Sequence, residues 1–190
     1  MINPVAGDGK HVNPLIDKIT AFYSKEDVPF DIYITRGHYD AVQYVKEVCE
    51  KGESVRFYAC GGDGTLNEVA NGLFGFQNAE LALIPCGSGN DFVKYFGDDA
   101  PLFQSIEYQF NAIPQKMDVI QSDDRISMNI CSIGFDAKAG YNFTRLKKVP
   151  MLGGKTAYNL AVGLTLMGEM ANNMRFTIDG DRVIEKEALI

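Results

Sequence analysis

Two stretches near the start of the chain carry apolar residues at helical spacing. The first holds Leu15, Ile16, Ile19, Phe22 and Tyr23, and the second Ala41, Tyr44, Val45, Val48 and Cys49. Between them, residues 30–35 (FDIYIT) alternate as a strand does. Lys51-Gly52 closes the second pattern in the manner of a glycine helix cap. Residues 54–60 (SVRFYAC) are rich in strand formers. They are followed by a glycine-rich turn, a short helix near residues 65–73, and a compact apolar strand, LALIP, over residues 81–85. Strands and helices that alternate across short links predict an α/β fold, a doubly wound and mainly parallel sheet.

The pattern changes after about residue 112. Residues 117–121 and 126–132 read as consecutive strands around the turn Ser122-Asp123-Asp124-Arg125. Helices are predicted over 135–147 and 155–170. A hairpin is predicted from 174–178 and 183–188, turning at Asp179-Gly180-Asp181. The expected organisation is an α/β domain over residues 1–112 and a second, incomplete antiparallel β region over 113–190. Both ends read as unfinished. Only Met1-Ile2 precede the first turn, and the chain stops inside the strand-like run VIEKEALI. The expectation is a fragment, or an open hairpin covered by a partner, a homodimer included.

Composition narrows the class. With 190 residues, 46% hydrophobic and 23% charged, the chain reads as an ordinary globular protein. A net charge of −7 argues against a dedicated nucleic-acid binder while leaving room for local basic patches. Cys49, Cys60, Cys86 and Cys131 form no CxxC pair, which removes zinc-ribbon and thioredoxin-like readings. Free thiols fit a cytoplasmic location. Met1 leads straight into Asn-Pro-Val-Ala-Gly, so no signal peptide is expected. The longest apolar stretch, 157–171, contains Asn159 and Glu169 and falls short of the roughly 20 residues of a membrane span.

The candidate chemistry lies in the turns. Gly61-Gly62-Asp63-Gly64-Thr65 sits between a predicted strand and a predicted helix. Glycines let the backbone approach a ligand, successive N–H groups form an anion nest, and the following helix adds its positive end. The turn either holds a phosphate or is simply a tight connection. Asp63 would repel a phosphate unless a metal or a transferable proton accompanies it. Residues 3–10 (NPVAGDGK), 35–38 (TRGH) and 86–91 (CGSGND) supply three more polar turns. In a doubly wound sheet all four lie at the carboxyl ends of strands, where ligands bind. No GxxxxGK[ST] run occurs, and the first turn has no GxGxxG pattern.

Residues 61–72 (GGDGTLNEVANG) resemble the signature of the diacylglycerol kinase catalytic family, which includes bacterial soluble lipid kinases and is related to sphingosine kinases and more distantly to NAD kinases. The NPVAG of Asn3 to Gly7 resembles that family's NPxxG start, and Thr35 to His38 its Thr-x-x-His segment. Residues 87–92 (GSGNDF) resemble its G-T-G-N-D-F/L motif with serine for threonine. Asp118, Asn129 and the run 133–137 (IGFDA) resemble its downstream D…N…GFDA pattern. The likeness runs through nearly the whole chain in the family's order.

The resemblance implies ATP-dependent phosphoryl transfer to the hydroxyl of diacylglycerol or a related lipid alcohol, with transient contact at a membrane surface. It implies nucleotide contacts at Asn3, Pro4, Val5, Ala6, Gly7, Thr35, Gly62, Asp63, Gly64, Thr65, Leu66, Asn67, Glu68 and Ser88. Mg2+ is expected with the triphosphate. Asp63 is the first candidate to organise metal and phosphates, with Asp91 and Asp118 in a supporting metal–water network. Family members are longer than this chain. Their later half completes a β-sandwich and carries the carboxylate proposed as general base, so Asp63 is the fallback catalytic residue here. The alternatives are an NAD-kinase-like small-alcohol kinase and a catalytically incomplete nucleotide-binding module.

Plainer roles stand beside these. His38 caps a helix or faces solvent as readily as it meets a ligand, and His11 reads as surface. Glu68 suits a helix N-terminus by charge alone. Arg36, Arg145, Lys147 and Lys148 either meet anions or are solvated. The apolar stretch 160–170 either touches a lipid chain or is core. Cys60 and Cys86 read as small hydrophobes at strand ends.

Overall fold

The computed structural model describes residues 1–146, 154–166 and 171–189. The chain divides into two compact units, Met1–Ile130 and Cys131–Ile190. Helix ends predicted at 147 and 167–170, and the basic residues Lys147 and Lys148, lie outside the described residues.

In the first unit the strands β1 (Val55–Gly61) and β2 (Ala79–Pro85) pair in parallel, from Val55 opposite Ala79 to Gly61 opposite Pro85. The first two residues extend this sheet. Ile2 forms parallel bridges to both Ile34 and Cys60. Ile2 N donates to Tyr33 O at 2.7 Å and Thr35 N to Ile2 O at 2.9 Å. On the other side, Cys60 N donates to Met1 O at 2.8 Å and Asn3 N to Cys60 O at 2.9 Å. The order across the sheet is therefore residue 34, residue 2, β1, β2. The predicted strand over 30–35 is reduced to its bridge at Ile34, because Ile2 supplies a single pairing position beside it. At the outer edge, the buried Gln109 side chain occupies the pairing groups of Leu83. Leu83 N donates to its Oε1 at 3.2 Å, and its Nε2 donates to Leu83 O.

Side chains alternate across this sheet and meet helices on both faces, as double winding requires. Phe57, Ala59 and Leu83 pack with Ala41, Val45 and Cys49 of α2 (Asp40–Cys49) and with Leu66 and Val69 of α3 (Asp63–Leu73). On the opposite face, Ile2, Cys60 and Ile84 pack with Leu15 and Tyr23 of α1 (Val12–Tyr23). Two shorter helices, α4 (Asp91–Lys94) and α5 (Ile106–Asn111), and a 3-10 segment, Gly97–Gln104, follow β2. Ile106 of α5 joins the second core.

The antiparallel hairpin predicted after residue 112 is present but short, β3 (Ile120–Ser122) against β4 (Arg125–Ser127). It belongs to the first compact unit, where Asn71 of α3 holds it in the manner of a strand. Ile126 N donates to Asn71 Oδ1 at 2.8 Å, and Asn71 Nδ2 donates to Ile126 O at 2.9 Å. Asn71→Ala leaves both backbone groups without this partner. A loss of about 1–3 kcal/mol is expected, read as a lower urea midpoint at unchanged slope.

The second unit holds α6 (Phe135–Leu146), α7 (Gly154–Leu166) and the antiparallel hairpin β5 (Ala171–Ile178) and β6 (Arg182–Leu189). The two helices pack on one another, with Ala139 and Ala161 buried and Asn142 Nδ2 donating to Thr165 Oγ1 at 3.0 Å. Among the described residues no helix is long and apolar enough to cross a membrane.

Cys60 is fully buried beneath the sheet, and burial pushes its thiol pKa up to about 11. Between about pH 9 and 11 the native state keeps a proton that the unfolded chain gives up. Native stability therefore falls as pH rises through that window, by at most about 2–3 kcal/mol for this group. Tyr23, whose phenol is raised by burial and by its contact with Tyr58, acts in the same direction. Urea midpoints measured from pH 8 to 10.5 should fall less steeply in Cys60→Ala than in the unsubstituted chain. At pH 8, Cys131, exposed to solvent, should react with a thiol reagent well before the buried Cys49 and Cys60.

Candidate active site

Three glycine-bearing turns meet at the carboxyl edge of the sheet. The first, Asn3 to Gly7, follows the bridge at Ile2. The second, Gly61-Gly62-Asp63, joins β1 to α3, and the third, Cys86 to Asn90, joins β2 to α4. They are fitted together through backbone that has no room for a side chain. Gly7 has φ +58°, and a Cβ there would lie 2.5 Å from Cys86 O. A Cβ on Gly87 would lie 2.5 Å from the Cα of Gly62, and one on Gly61 would collide with the Thr65 side chain.

Side chains lock the same arrangement. Asn3 Nδ2 donates to Thr65 Oγ1 at 2.8 Å, and Asn3 Oδ1 accepts from Val5 N at 3.1 Å, closing the first turn against α3. Asn90, in the left-handed region at φ 52°, closes the third turn. Its Oδ1 accepts from Gly87 N at 3.0 Å and its Nδ2 donates to Gly87 O at 2.8 Å. Thr35 is buried and its hydroxyl donates to Ile2 O at 3.4 Å, so it braces the first turn from the neighbouring segment.

Asp63 opens α3, where a carboxylate complements the positive end of the helix. Its Oδ1 accepts from Phe92 N at 3.0 Å, which ties the second turn to α4. Its Oδ2 faces the third turn, since a Cβ on Gly89 would lie 3.2 Å from it. The same Cβ would lie 3.6 Å from Asp91 Oδ2, so two carboxylates flank Gly89. Asp91 also holds Lys94, with Nζ 2.6 Å from Oδ1, and this hydrogen bond raises the ammonium pKa. Lys94 is a cation that sequence reasoning passed over, although its i,i+3 spacing from Asp91 was the available signal.

The predicted nucleotide positions separate by what their side chains do. Gly62, Asp63 and Gly64 lie at the helix start, with Gly62 in extended conformation at φ −97° and ψ −169°. Ser88 and Val5 are exposed on the third and first turns, Ala6 is buried, and Pro4 is half-buried. Asn67 is exposed on α3, whereas the Leu66 side chain belongs to the core. Glu68 reaches His38, whose Nδ1 lies 2.8 Å from Oε1. The pairing gives His38 a partner on α3, and the His38 ring in turn lies 4.1 Å from that of Tyr39, a residue at φ 64°. His11 is not purely a surface residue, because its Nε2 lies 3.2 Å from Asn3 O and supports the first turn.

Asp118 is exposed in the segment before β3, and Asn129 is exposed after β4. Among the described residues no group of three or more His, Cys, Asp or Glu side chains could by itself hold a metal ion. The pair Asp63 and Asp91 fits a different kind of site. Mg2+ is commonly held by one or two carboxylates with the remaining positions filled by phosphate oxygens and water.

A protein of Pseudomonas putida named probable lipid kinase YegS-like is 34% identical over 142 residues, covering 74% of this chain and 46% of the relative. A protein of Staphylococcus aureus (strain MSSA476), also named as a lipid kinase, is 25% identical over 174 residues, covering 90% of this chain and 56% of its own length. A crystal structure titled "a putative diacylglycerol kinase from Bacillus anthracis str. Sterne" superposes with a TM-score of 0.64 at 26% identity, covering 99% of this chain and 62% of that one. The chain spans about half the length of the curated relatives it matches. Residues 1–122, which contain all three turns, match the diacylglycerol kinase catalytic domain, and the chain belongs to that family.

Proposed function

We propose that this chain binds ATP on the three fitted turns and takes part in transfer of the γ-phosphoryl group to the hydroxyl of diacylglycerol or a related lipid alcohol. The observation that carries this reading is the convergence of Asn3 to Gly7, Gly61 to Asp63 and Cys86 to Asn90 on one edge, held by contacts that exclude a Cβ. Exposed N–H groups of such turns and the start of α3 suit phosphate oxygens. In the transfer, the lipid oxygen forms a bond to the γ-phosphorus, the bond from that phosphorus to the β,γ-bridging oxygen breaks, and ADP leaves. The hydroxyl proton passes to a carboxylate, for which Asp63 is this chain's candidate. Bound Mg2+ would supply charge neutralisation on the phosphates. Asp63 and Asp91 are the residues that would hold it. Asp63 also keeps α4 in place through Phe92 N, so it positions the third turn as well as carrying charge. A cytoplasmic protein that visits the membrane surface transiently suits this role.

A second reading, a nucleotide-binding module that transfers nothing by itself, is favoured by the engagement of the candidate base: Asp63 Oδ1 already accepts from Phe92 N and is tied to α4. These two readings and an NAD-kinase-like one are tested together with γ-labelled ATP, Mg2+ and two kinds of acceptor, mixed micelles of diacylglycerol and other lipid alcohols, and NAD, alongside calorimetry with ADP. Label in the organic phase supports the lipid kinase. Label moving only onto NAD supports a small-alcohol kinase. ADP binding without transfer to any acceptor supports the module, and absence of both binding and transfer rejects all three.

A further inference from the structure

Glu68 does not sit where helix electrostatics alone would put it. Helix α3 opens at Asp63, and the favourable effect of a carboxylate on a helix start fades beyond the first turn. Glu68 lies past that turn. Its side chain is 19% exposed, and its hydrogen-bond partner among the described residues is His38, 30 residues away in the chain. Gly64 stands one turn earlier on the same face of α3 and has no side chain to screen Glu68 from the helix start. Thr65, three residues before Glu68, holds Asn3 of the first turn.

The loop that presents His38 is fixed from several sides. Thr35 is braced against Ile2 O. Asp40 Oδ2 accepts from Arg36 N at 2.8 Å, and the Tyr33 hydroxyl donates to the same carboxylate, 3.0 and 2.9 Å from its two oxygens. Tyr39 takes φ 64°, a left-handed conformation that a bulky side chain rarely adopts. Its ring lies 4.1 Å from that of His38, and the Arg125 guanidinium of β4 sits 5.1 Å from its centroid. Backbone of this kind persists only where its surroundings over-determine it. Here they aim the imidazole at α3.

A carboxylate can only accept, so His38 Nδ1 carries the proton and donates to Glu68 Oε1 at 2.8 Å. That bond engages one oxygen and leaves Oε2 to accept from another donor. Phosphate offers no such donor and is repelled by the carboxylate. Glu68 follows Asp63 by about 7.5 Å along the helix axis, at 1.5 Å per residue, so it stands beyond the phosphate turn rather than within it. On a nucleotide whose phosphates lie on the turns, the first donors past the phosphates are the sugar hydroxyls. On the reading that the three turns hold a nucleotide, we propose that His38 is a positioning residue: by holding Glu68 Oε1 it aims Oε2 at the sugar hydroxyls, and so makes the site select a ribonucleotide over one that lacks them.

Calorimetric titration of the 190-residue chain with ADP and with 2′,3′-dideoxy-ADP, both with Mg2+, reads the selection as a ratio of affinities. The unsubstituted chain should prefer ADP by about tenfold or more, as expected for hydrogen bonds to a charged acceptor. Glu68→Ala should bring the ratio close to unity. His38 is 77% exposed, so His38→Ala leaves no buried gap, and it should lower the ratio in the same direction. His38→Asn, whose Nδ2 takes the place of Nδ1, should restore it. A merely structural role for His38 would weaken both ligands together and leave the ratio unchanged. ADP binding without preference over the dideoxy compound overturns the proposal and leaves nucleotide binding standing, whereas binding of neither ligand overturns both. A ratio unmoved in His38→Ala, or one that His38→Asn does not restore, also overturns it.

Discussion

Asp63→Asn is expected to lower phosphoryl transfer by on the order of 10²–10³-fold while leaving the fold intact. Asparagine keeps an Oδ1 that accepts from Phe92 N, so the tie between the second turn and α4 survives and only the charge is lost. The same substitution should change nucleotide binding in opposite directions according to metal. Without a divalent cation, the Asp63 carboxylate repels phosphate at the helix start, and its removal should tighten ADP binding about tenfold, equivalent to about 1.4 kcal/mol. With Mg2+ present, the unsubstituted chain should bind more tightly than Asp63→Asn. Calorimetric titration with and without EDTA measures both arms. Affinity independent of metal in both proteins would remove Asp63 from the phosphate site. Asp63→Ala adds a structural loss of about 1–3 kcal/mol, because Phe92 N then lacks its acceptor.

Gly87→Ala carries the second large effect. The new Cβ would sit 2.5 Å from the Cα of Gly62 and 2.9 Å from Asn90 Oδ1. The nearest atom is backbone, so no flexible side chain can swing aside to make room. The second and third turns must separate, at a cost of about 1–3 kcal/mol of overpacking. A ligand that spans them then loses contact with one. ADP affinity should fall more than tenfold, with a lower melting temperature. Gly163→Ala, inside α7 where an added Cβ meets nothing within 4 Å, should leave ADP affinity unchanged. Unaltered binding in Gly87→Ala would show that the turns do not act together.

The core of the fold was legible because its elements are periodic. The apolar spacing of residues 15–23 and 41–49 gave α1 and α2 within a few residues, and the β-branched and aromatic run before Gly61 gave β1. What escaped is what depends on partners rather than on pattern. Residues 30–35 alternate well, yet pair only at Ile34, because the neighbouring segment offers Ile2 alone. Residues 97–111 carry no sustained period, and their 3-10 and short helical turns are set by packing around Phe103 and Gln109. The turns of the site were legible through their glycines and order. Their mutual fit was not, since the contact of Gly62 with Gly87 joins residues far apart in sequence. Asp91 could be placed beside Asp63 by its motif, whereas Asp118, matched in the same way, lies exposed before β3. The roles of His11 and Lys94 were missed because a lone polar side chain announces no partner.

The position of Ile2 has a consequence for how the molecule comes apart. Among the described residues, the backbone hydrogen bonds that join the segment at Ile34 to β1 run through Met1, Ile2 and Asn3, and each side of that seam leads into turns of the site. Opening the seam would carry Asn3 away from Thr65 and Thr35 away from Ile2 together. A phosphate ligand gripping these turns would act as a clasp across the seam, making ligand release and sheet opening one cooperative event. At a hundredfold excess over its dissociation constant such a clasp adds about 2.7 kcal/mol. Hydrogen exchange at the amides of Ile2, Asn3, Thr35 and Cys60 should then slow in concert when ADP is added, while amides of the β5–β6 hairpin keep their rates.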